Sequence, residues 1–509
     1  MSRVLLELIP NASLKIIGSK PLISQNLPPA VHYEPNFTGQ YFRNSGQVSR
    51  DGLALARLVG AAENEIEFAD VAASSKIVLA RKRNKDEPDT LVKFPGFLDS
   101  IRYAIPFATE WMWPVKKICW SSRSGDPAHQ RDAQTDESLP EFLRRRLGRG
   151  ISRRFSDILA SSITGVSSSN NVSAVTSLPR FWFAEKRWRS VLLGSLLFDR
   201  FSPSRSVGEL PSLMLSDSLK QRASTGGRLW TITGGIAKLE DMLQEGFMED
   251  PRVEWVVENN EEEKREAIVD AAQSDCTILA GFDLLSALSD GPSMLSNPPD
   301  FAILEKSNKV HSISLEWEGV SILPRRLKSV GHLWRFDGQG RSADPLTGLT
   351  VVGTSFRSSL FPGVYKGRTL ITVFVNETAN AGLPRVKSTA DQVTSLAIDY
   401  VTRHLGISQV PSFVSPVSLE EVPAFELGHQ TALESLDNWR VLNNPKLQFC
   451  GKGFYVSSAT DVISDCFELG RTLQKRFANY PLVDREQDAD RSRGGRWSKA
   501  EKLIRAVRF

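Results

Sequence analysis

The stretch Gly353 to Leu383, "GTSFRSSLFPGVYKGRTLITVFVNETANAGL", decides how the chain is read. Its flanks alternate apolar and small polar residues in the manner of two half-buried strands. Its centre, Ser358-Ser359-Leu360-Phe361-Pro362-Gly363, carries proline and glycine where a turn belongs. That centre is too particular for generic strand filler, so the segment reads as a strand pair built around a specific corner.

Working outward, 509 residues suffice for two to four domains. A hydrophobic content of 41% and a charged content of 24% are those of an ordinary globular protein. The 63 basic and 59 acidic residues nearly cancel, which gives no electrostatic reason to expect nucleic acid as a partner. Four cysteines without a C-x-x-C pattern and six histidines without H-x-x-x-H give no metal site, and free thiols are expected. No apolar run approaches the ~18 residues of a membrane span. The first residues have neither the n- and h-regions of a signal peptide nor an Arg/Ser-rich transit composition. They read as the inside of a domain, with an apolar helix end at Val4 to Ile9 and a strand at Ser13 to Ile17.

Further along, "RDGLALARLVGAA" is an amphipathic helix, and residues 91 to 120 are rich in aromatics. Ser138 to Thr164 forms a helical block in which Leu143, Leu147, Ile151 and Phe155 step by four along one face and six arginines decorate the rest. Such a face is a solvated basic surface or a surface for anionic membrane. "RFWFAEKRWRSVLLGSLLF" is a second apolar helix. "LWTITGGIAKLEDMLQEGF" reads as strand, Gly-Gly turn and helix, and "SDCTILA" ends in a buried strand. Residues 388 to 405 form a helix with Val393, Leu396, Ala397 and Tyr400 on one side. The final "RSRGGRWSKAEKLIRAVRF" holds seven basic residues against one acidic, a frayed terminus or a tail for membrane or a protein partner. Mixed strands and helices without repeats give a combination of α/β and α+β.

Short motifs alone stop there, because no P-loop, G-x-S-x-G or complete G-x-G-x-x-G occurs. "VVGTSFRSSLFPGVYKGRTLITVF" nevertheless resembles the strand, Ser-Ser-x-Phe-Pro corner and returning strand of the protoporphyrinogen oxidases, in the flavin amine-oxidase superfamily. Other blocks follow in the same order. "PDTLVKFPG" is similar to Pro-Asp-x-Leu-Val-x-x-Pro-Gly. "RFWFAEKRWRSVLLGSLL" is similar to the Leu-x-x-x-Glu-x-x-x-x-Ser helix, and "TITGGIAKLEDML" to the Lys-Gly-Gly element. "LEWEG" with "VGHLW" resembles the strand that leads to Gly-Phe-Gly-His-Leu-Val-Pro. "VPAFELGH" and "SDCFELG" resemble the closing blocks.

The resemblance implies a flavin amine-oxidase-like fold with three parts. These are an incomplete dinucleotide-binding domain, an antiparallel-sheet substrate domain and a helical membrane-docking domain. Residues 1–85, 206–300 and 441–480 would belong to the first. Residues 86–205 would hold the helical part, 301–440 the substrate sheet and 481–509 a basic tail. The implied activity is oxidation of protoporphyrinogen IX to protoporphyrin IX with FAD and oxygen, in haem synthesis at the mitochondrial inner membrane. A homodimer or a protein partner through the tail would fit. The cofactor carries such chemistry, so no acid–base dyad is required. The alternative is a flavin-free paralogue that binds porphyrin or serves as a structural partner. A carotenoid-desaturase-like oxidase is a weaker third reading.

Carried over residue by residue, Leu333 and Phe374 match apolar side chains that sandwich the tetrapyrrole, and Ser355 stands at a position that is usually Leu or Val. Ser169 matches a glycine whose backbone meets substrate. Arg43 is the nearest candidate for a propionate partner. The flavin side is degenerate. The opening strand with G-x-G-x-x-G has no counterpart, which implies an N-terminally incomplete copy. Gly18 falls where a glutamate holds the ribose, and Leu22 to Gln25 replace Arg-x-Gly-Gly. Thr460-Asp461-Val462-Ile463 replaces the Gly-Val-x-Val that approaches the flavin, whereas Asp465, Cys466 and Gly470 are kept.

Overall fold

The computed structural model describes residues 14–18, 42–43, 46–74, 77–81, 90–94, 136–191, 215–257, 276–280, 302–333, 349–377, 389–454 and 459–479, a few positions within these runs excepted. The expectations for Val4 to Ile9, Leu22 to Gln25, the aromatic-rich segment beyond residue 94 and the basic tail fall outside them.

In chain order the strands are β1 (Leu14–Gly18), β2 (Phe42–Arg43), β3 (Ile66–Phe68), β4 (Ile77–Arg81), β5 (Thr90–Phe94), β6 (Leu229–Ile232), β7 (Val253–Val257) and β8 (Thr277–Ala280). They continue with β9 (Ser307–Glu318), β10 (Gly331–Leu333), β11 (Leu349–Ser355), β12 (Arg368–Glu377), β13 (Phe413–Val414), β14 (Ser418–Pro423) and β15 (Leu447–Cys450). The longer helices are α1 (Gly46–Leu58), α2 (Leu139–Leu147), α3 (Arg149–Thr164), α4 (Pro179–Trp188), α5 (Gly235–Met248), α6 (Ala390–Tyr400), α7 (His429–Asn443) and α8 (Ala459–Asn479).

The main sheet runs β13-β9-β12-β11-β10-β4-β5, and β14 pairs with β9 as well. Its centre is antiparallel, and β10 meets β4 in parallel. Alternation along the strands sorts the two faces. Ile313, Leu315 and Trp317 of β9 join Ile371, Val373 and Val375 of β12 on one face, against Val393, Ala397 and Tyr400 of α6. A capping box starts α6: Gln392 N donates to Thr389 Oγ1 at 3.3 Å and Thr389 N donates to Gln392 Oε1 at 3.0 Å. The last turn widens at Val401–Leu405 and stops at Gly406, in the left-handed region.

Three smaller sheets accompany it. β2-β6-β3 is antiparallel, while β1-β7 and β15-β8 are parallel pairs whose strands come from distant parts of the chain. The helical block departs from the single face expected of it. Gly148, at φ 86°, divides it into α2 and α3, which pack on each other. Leu143 and Ile151 are therefore buried on two helices rather than along one. The expected buried strand at "TILA" is β8, which is only half covered. No helix among the described residues is long and apolar enough to cross a membrane.

Candidate functional site on the main sheet

A bulge at Val352 sets the register of β11 against β12, so that Gly353 faces Phe374. On its other side Gly353 faces Leu333 of β10. Residues directly opposite in antiparallel strands project to the same face. Leu333, Gly353 and Phe374 therefore form one row across three strands, with a glycine between two apolar residues. Gly353 is not among the glycines with positive φ, so its backbone does not require the residue. What the glycine supplies there is the absence of a side chain.

The next row places Ser355 between Gly331 and Thr372. Thr372 Oγ1 hydrogen-bonds Ser314 Oγ of β9 at 3.0 Å. Ser355 is 4% exposed, and its Oγ has no hydrogen-bond partner among the described residues. A buried hydroxyl in that state is available to a ligand and costly if left unmatched. A Cβ on Gly331 would collide with the Thr354 carbonyl. The face thus joins an apolar row to a row of small hydroxyls. Phe374 itself packs against Val310, Val352 and Val422 and is 7% exposed, so it also serves as sheet core.

The corner that looked functional in sequence is a joint. Arg357–Leu360 is one helical turn, and Phe361 N donates to Arg357 O at 2.9 Å. Leu360, Phe361 and Tyr365 pack with Leu370 of β12 and with Ala69, Ala73 and Leu229 from the β2-β6-β3 side. Asp70 N donates to Leu360 O at 2.8 Å across that seam. Arg43 pairs along β2 with this same Leu229, so the joint carries its strand beside the start of β12. Ser169 is anchored elsewhere, on α3, where its N and Oγ donate to Asp157 Oδ1 at 3.0 and 2.6 Å. The end of α3 reaches the sheet through Asn308 Nδ2, which donates to Thr164 O at 3.0 Å, and through Asn376, which donates to Gly165 O.

Two buried histidines flank these elements. His332, next to Leu333, meets the Tyr400 hydroxyl through Nδ1; burial, with the nearby His404, pushes its pKa down to about 3. Burial likewise pushes His429, at the start of α7, down to about 4. Both are neutral at pH 7. A cavity of about 570 Å³ opens on the helical block, where Arg144, Arg149 and Arg153 line it. Phe374 is not among its lining residues.

The residues assigned to a flavin are distributed otherwise. Gly18 ends β1 opposite Val257 and offers no side chain to a ribose. Val462, Ile463, Asp465 and Cys466 all lie on α8. Ile463 packs with Phe467, Trp230 and Leu53 in the core beneath α1. Ser464 Oγ donates to the buried Asp51 Oδ2 at 2.8 Å, and Cys466 lies against Cys450. Binding a dinucleotide takes N–H donors for the pyrophosphate and an acceptor for the ribose. Gly18 has no acceptor for a ribose, Ile463 faces an apolar core and Asp465 is acidic, so the described side chains at these positions do not fit FAD. No local pattern signals the role of Gly353 or the hydroxyl row, because register across three strands is invisible in any one of them.

The fold that these sheets and helices define is that of the FAD-dependent amine-oxidase-like proteins. A crystal structure from Exiguobacterium sp. 255-15, provisionally described as a protoporphyrinogen oxidase, superposes with a TM-score of 0.59 at 12% identity, covering 93% of this chain and 96% of that one. Reduced UDP-galactopyranose mutase gives 0.50 at 11% identity, covering 94% and 93%. Among curated proteins, the coproporphyrinogen III oxidase of Propionibacterium freudenreichii subsp. freudenreichii is 24% identical over 348 residues, 65% of this chain and 63% of that protein. The mitochondrial protoporphyrinogen oxidase of Nicotiana tabacum is 22% identical over 368 residues, 67% and 66% respectively. The chain thus spans just under two thirds of the length of these relatives. No family model matches it. The resemblance read from the sequence holds: the chain is similar to porphyrinogen oxidases of the flavin amine-oxidase superfamily.

Proposed function

We propose that this chain is a porphyrinogen-oxidase-like protein that takes a protoporphyrinogen-type tetrapyrrole on the Leu333–Gly353–Phe374 face of its main sheet. The observation that carries this is the glycine held between two apolar residues, with the unmatched Ser355 hydroxyl one row away. Apolar side chains there would contact the rings, and Phe374 is suited to stack on them. Ser355 would meet a polar atom of the ligand. Arg43 is the candidate for a propionate, on a strand joined to the site through Leu229 and Leu370.

The full activity implied by the similarity is oxidation of protoporphyrinogen IX to protoporphyrin IX, with FAD as the acceptor of hydride equivalents and oxygen as the final oxidant. Action at the mitochondrial inner membrane belongs to that reading. The second reading is a flavin-free tetrapyrrole-binding protein, and Gly18 together with the core-facing Ile463 favours it. We adopt the second reading for the described residues, with the first as its alternative.

Titration of the purified chain with protoporphyrin IX, followed by fluorescence, and with FAD, followed by visible absorbance, separates them. Porphyrin binding without retained FAD is the expected result. A yellow protein that reduces its flavin with protoporphyrinogen overturns the flavin-free reading, and failure to bind any porphyrin overturns both.

A further inference from the structure

We propose that Cys450 and Cys466 are a peroxide-oxidisable dithiol that closes to a disulfide joining β15 to α8. Cys450 is the last residue of β15, and Cys466 lies in the third turn of α8. Their Sγ atoms are 3.6 Å apart, and both residues are free thiols at 1% and 6% exposure. Buried cysteines ordinarily serve as small apolar fillers. What distinguishes this pair is that the sulfurs touch each other and differ chemically.

The hydrogen bond it shares with Cys450 holds the Cys466 thiol down, against burial that opposes it. The same bond and burial push Cys450 up. Cys466, the more exposed of the two, is assigned the attacking role. Its thiolate sulfur attacks one oxygen of hydrogen peroxide. The O–O bond breaks, hydroxide leaves, and a sulfenic acid forms. The Cys450 sulfur then attacks the Cys466 sulfur; the S–O bond breaks and, with the Cys450 proton, water leaves. Two thiols are oxidised to one disulfide, and one peroxide is reduced to two waters.

The cross-link would enclose the Gly451 and Gly453 turns, both at positive φ, together with Val462, Ile463 and Asp465. It would fix the start of α8 on the edge of its parallel strand pair. The proposal needs no flavin and stands apart from the functional reading above.

The test treats the full chain with hydrogen peroxide, alkylates the remaining thiols, and maps tryptic peptides by mass spectrometry. Cleavage after Lys446, Lys452 and Arg471 places each cysteine on its own peptide, 447–452 and 453–471. The expected product is these two peptides linked, lighter by two hydrogen atoms than their sum, with both alkylatable thiols lost and restored by dithiothreitol. Cys276, half-exposed on the approach to β8, is the internal control. Cys450→Ser should leave a dimedone-reactive sulfenic acid on Cys466 and no linked peptide. Oxidation of Cys276 while both 450 and 466 stay alkylated overturns the proposal, as does a linkage of Cys466 to any other cysteine. The wild-type map decides the matter even if a variant fails to fold.

Discussion

Phe374 of β12 stands directly opposite Gly353 of β11, and the bulge at Val352 is what brings them into register. Because Gly353 is not at positive φ, Gly353→Val adds no backbone strain, and a β-branched residue suits a strand. The new side chain would stand between the Leu333 and Phe374 positions of the row. Protoporphyrin affinity should fall at least about tenfold, or ~1.4 kcal/mol, with circular dichroism confirming that the variant is folded. Unchanged affinity in a fluorescence titration would remove this face from the binding site.

Phe374→Leu tests stacking apart from volume. Apolar swaps of this kind in a packed core cost less than about 1.5 kcal/mol. An aromatic contact adds about 0.5–1.5 kcal/mol beyond area. Urea denaturation should show a modest loss, while porphyrin dissociates roughly 2- to 10-fold faster. Phe374→Ala would confuse the two effects, since it also empties the cluster of Val310, Val352 and Val422.

Acid should destabilise the protein through its buried histidines. In the unfolded chain each titrates near 6.5, whereas folded His332 and His429 do so near 3 and 4. Between those values the unfolded state binds more protons, so stability is full above about pH 6.5 and is lost as pH falls below it. Each histidine contributes about 1.4 kcal/mol per pH unit in that window. Urea midpoints compared at pH 7.5 and 5.5 measure the effect, and a flat profile would show that neither side chain is held neutral.

Glu185 should be a folding residue of the helical block. It pairs with both Arg145 and Arg146, and the Arg146 side chain is only 1% exposed. Arg145 is bound as well by Glu137, its Nε donating to Oε1 at 3.0 Å. Glu185→Ala removes a largely buried carboxylate from beside two guanidinium groups and should cost about 3 kcal/mol. Chemical denaturation reads that loss directly, and an exposed, weakly coupled pair would give under ~1 kcal/mol instead.

Particular residues show why the sequence was legible in part. Alternation in "LTVVGTS" and "RTLITVFVNE" gave β11 and β12, because a two-residue period sorts side chains between two covered faces. The Gly-Gly turn before α5 and the Thr389–Gln392 box of α6 are likewise local chemistry. Gly148 was misread inside one helix, since periodicity does not report a positive φ. Ser355 and Arg43 could be named as candidates, but not the unmatched hydroxyl of one or the sheet that holds the other. The glutamate in "RFWFAEKRWRS" resembles a family position, and the structure gives it an ionic role within the helical block.

Sequence by itself determined the similarity to porphyrinogen oxidases and the strands around the quoted corner, because these follow from residue order and local period, and it put Leu333 and Phe374 forward as candidates. Tertiary structure decided that the Ser358–Gly363 corner is a joint between two sheets, that Gly353 stands between the Leu333 and Phe374 positions, and that Ile463 and Cys466 face the core. Each of those depends on register or packing between segments far apart in the chain, which no single stretch of residues encodes.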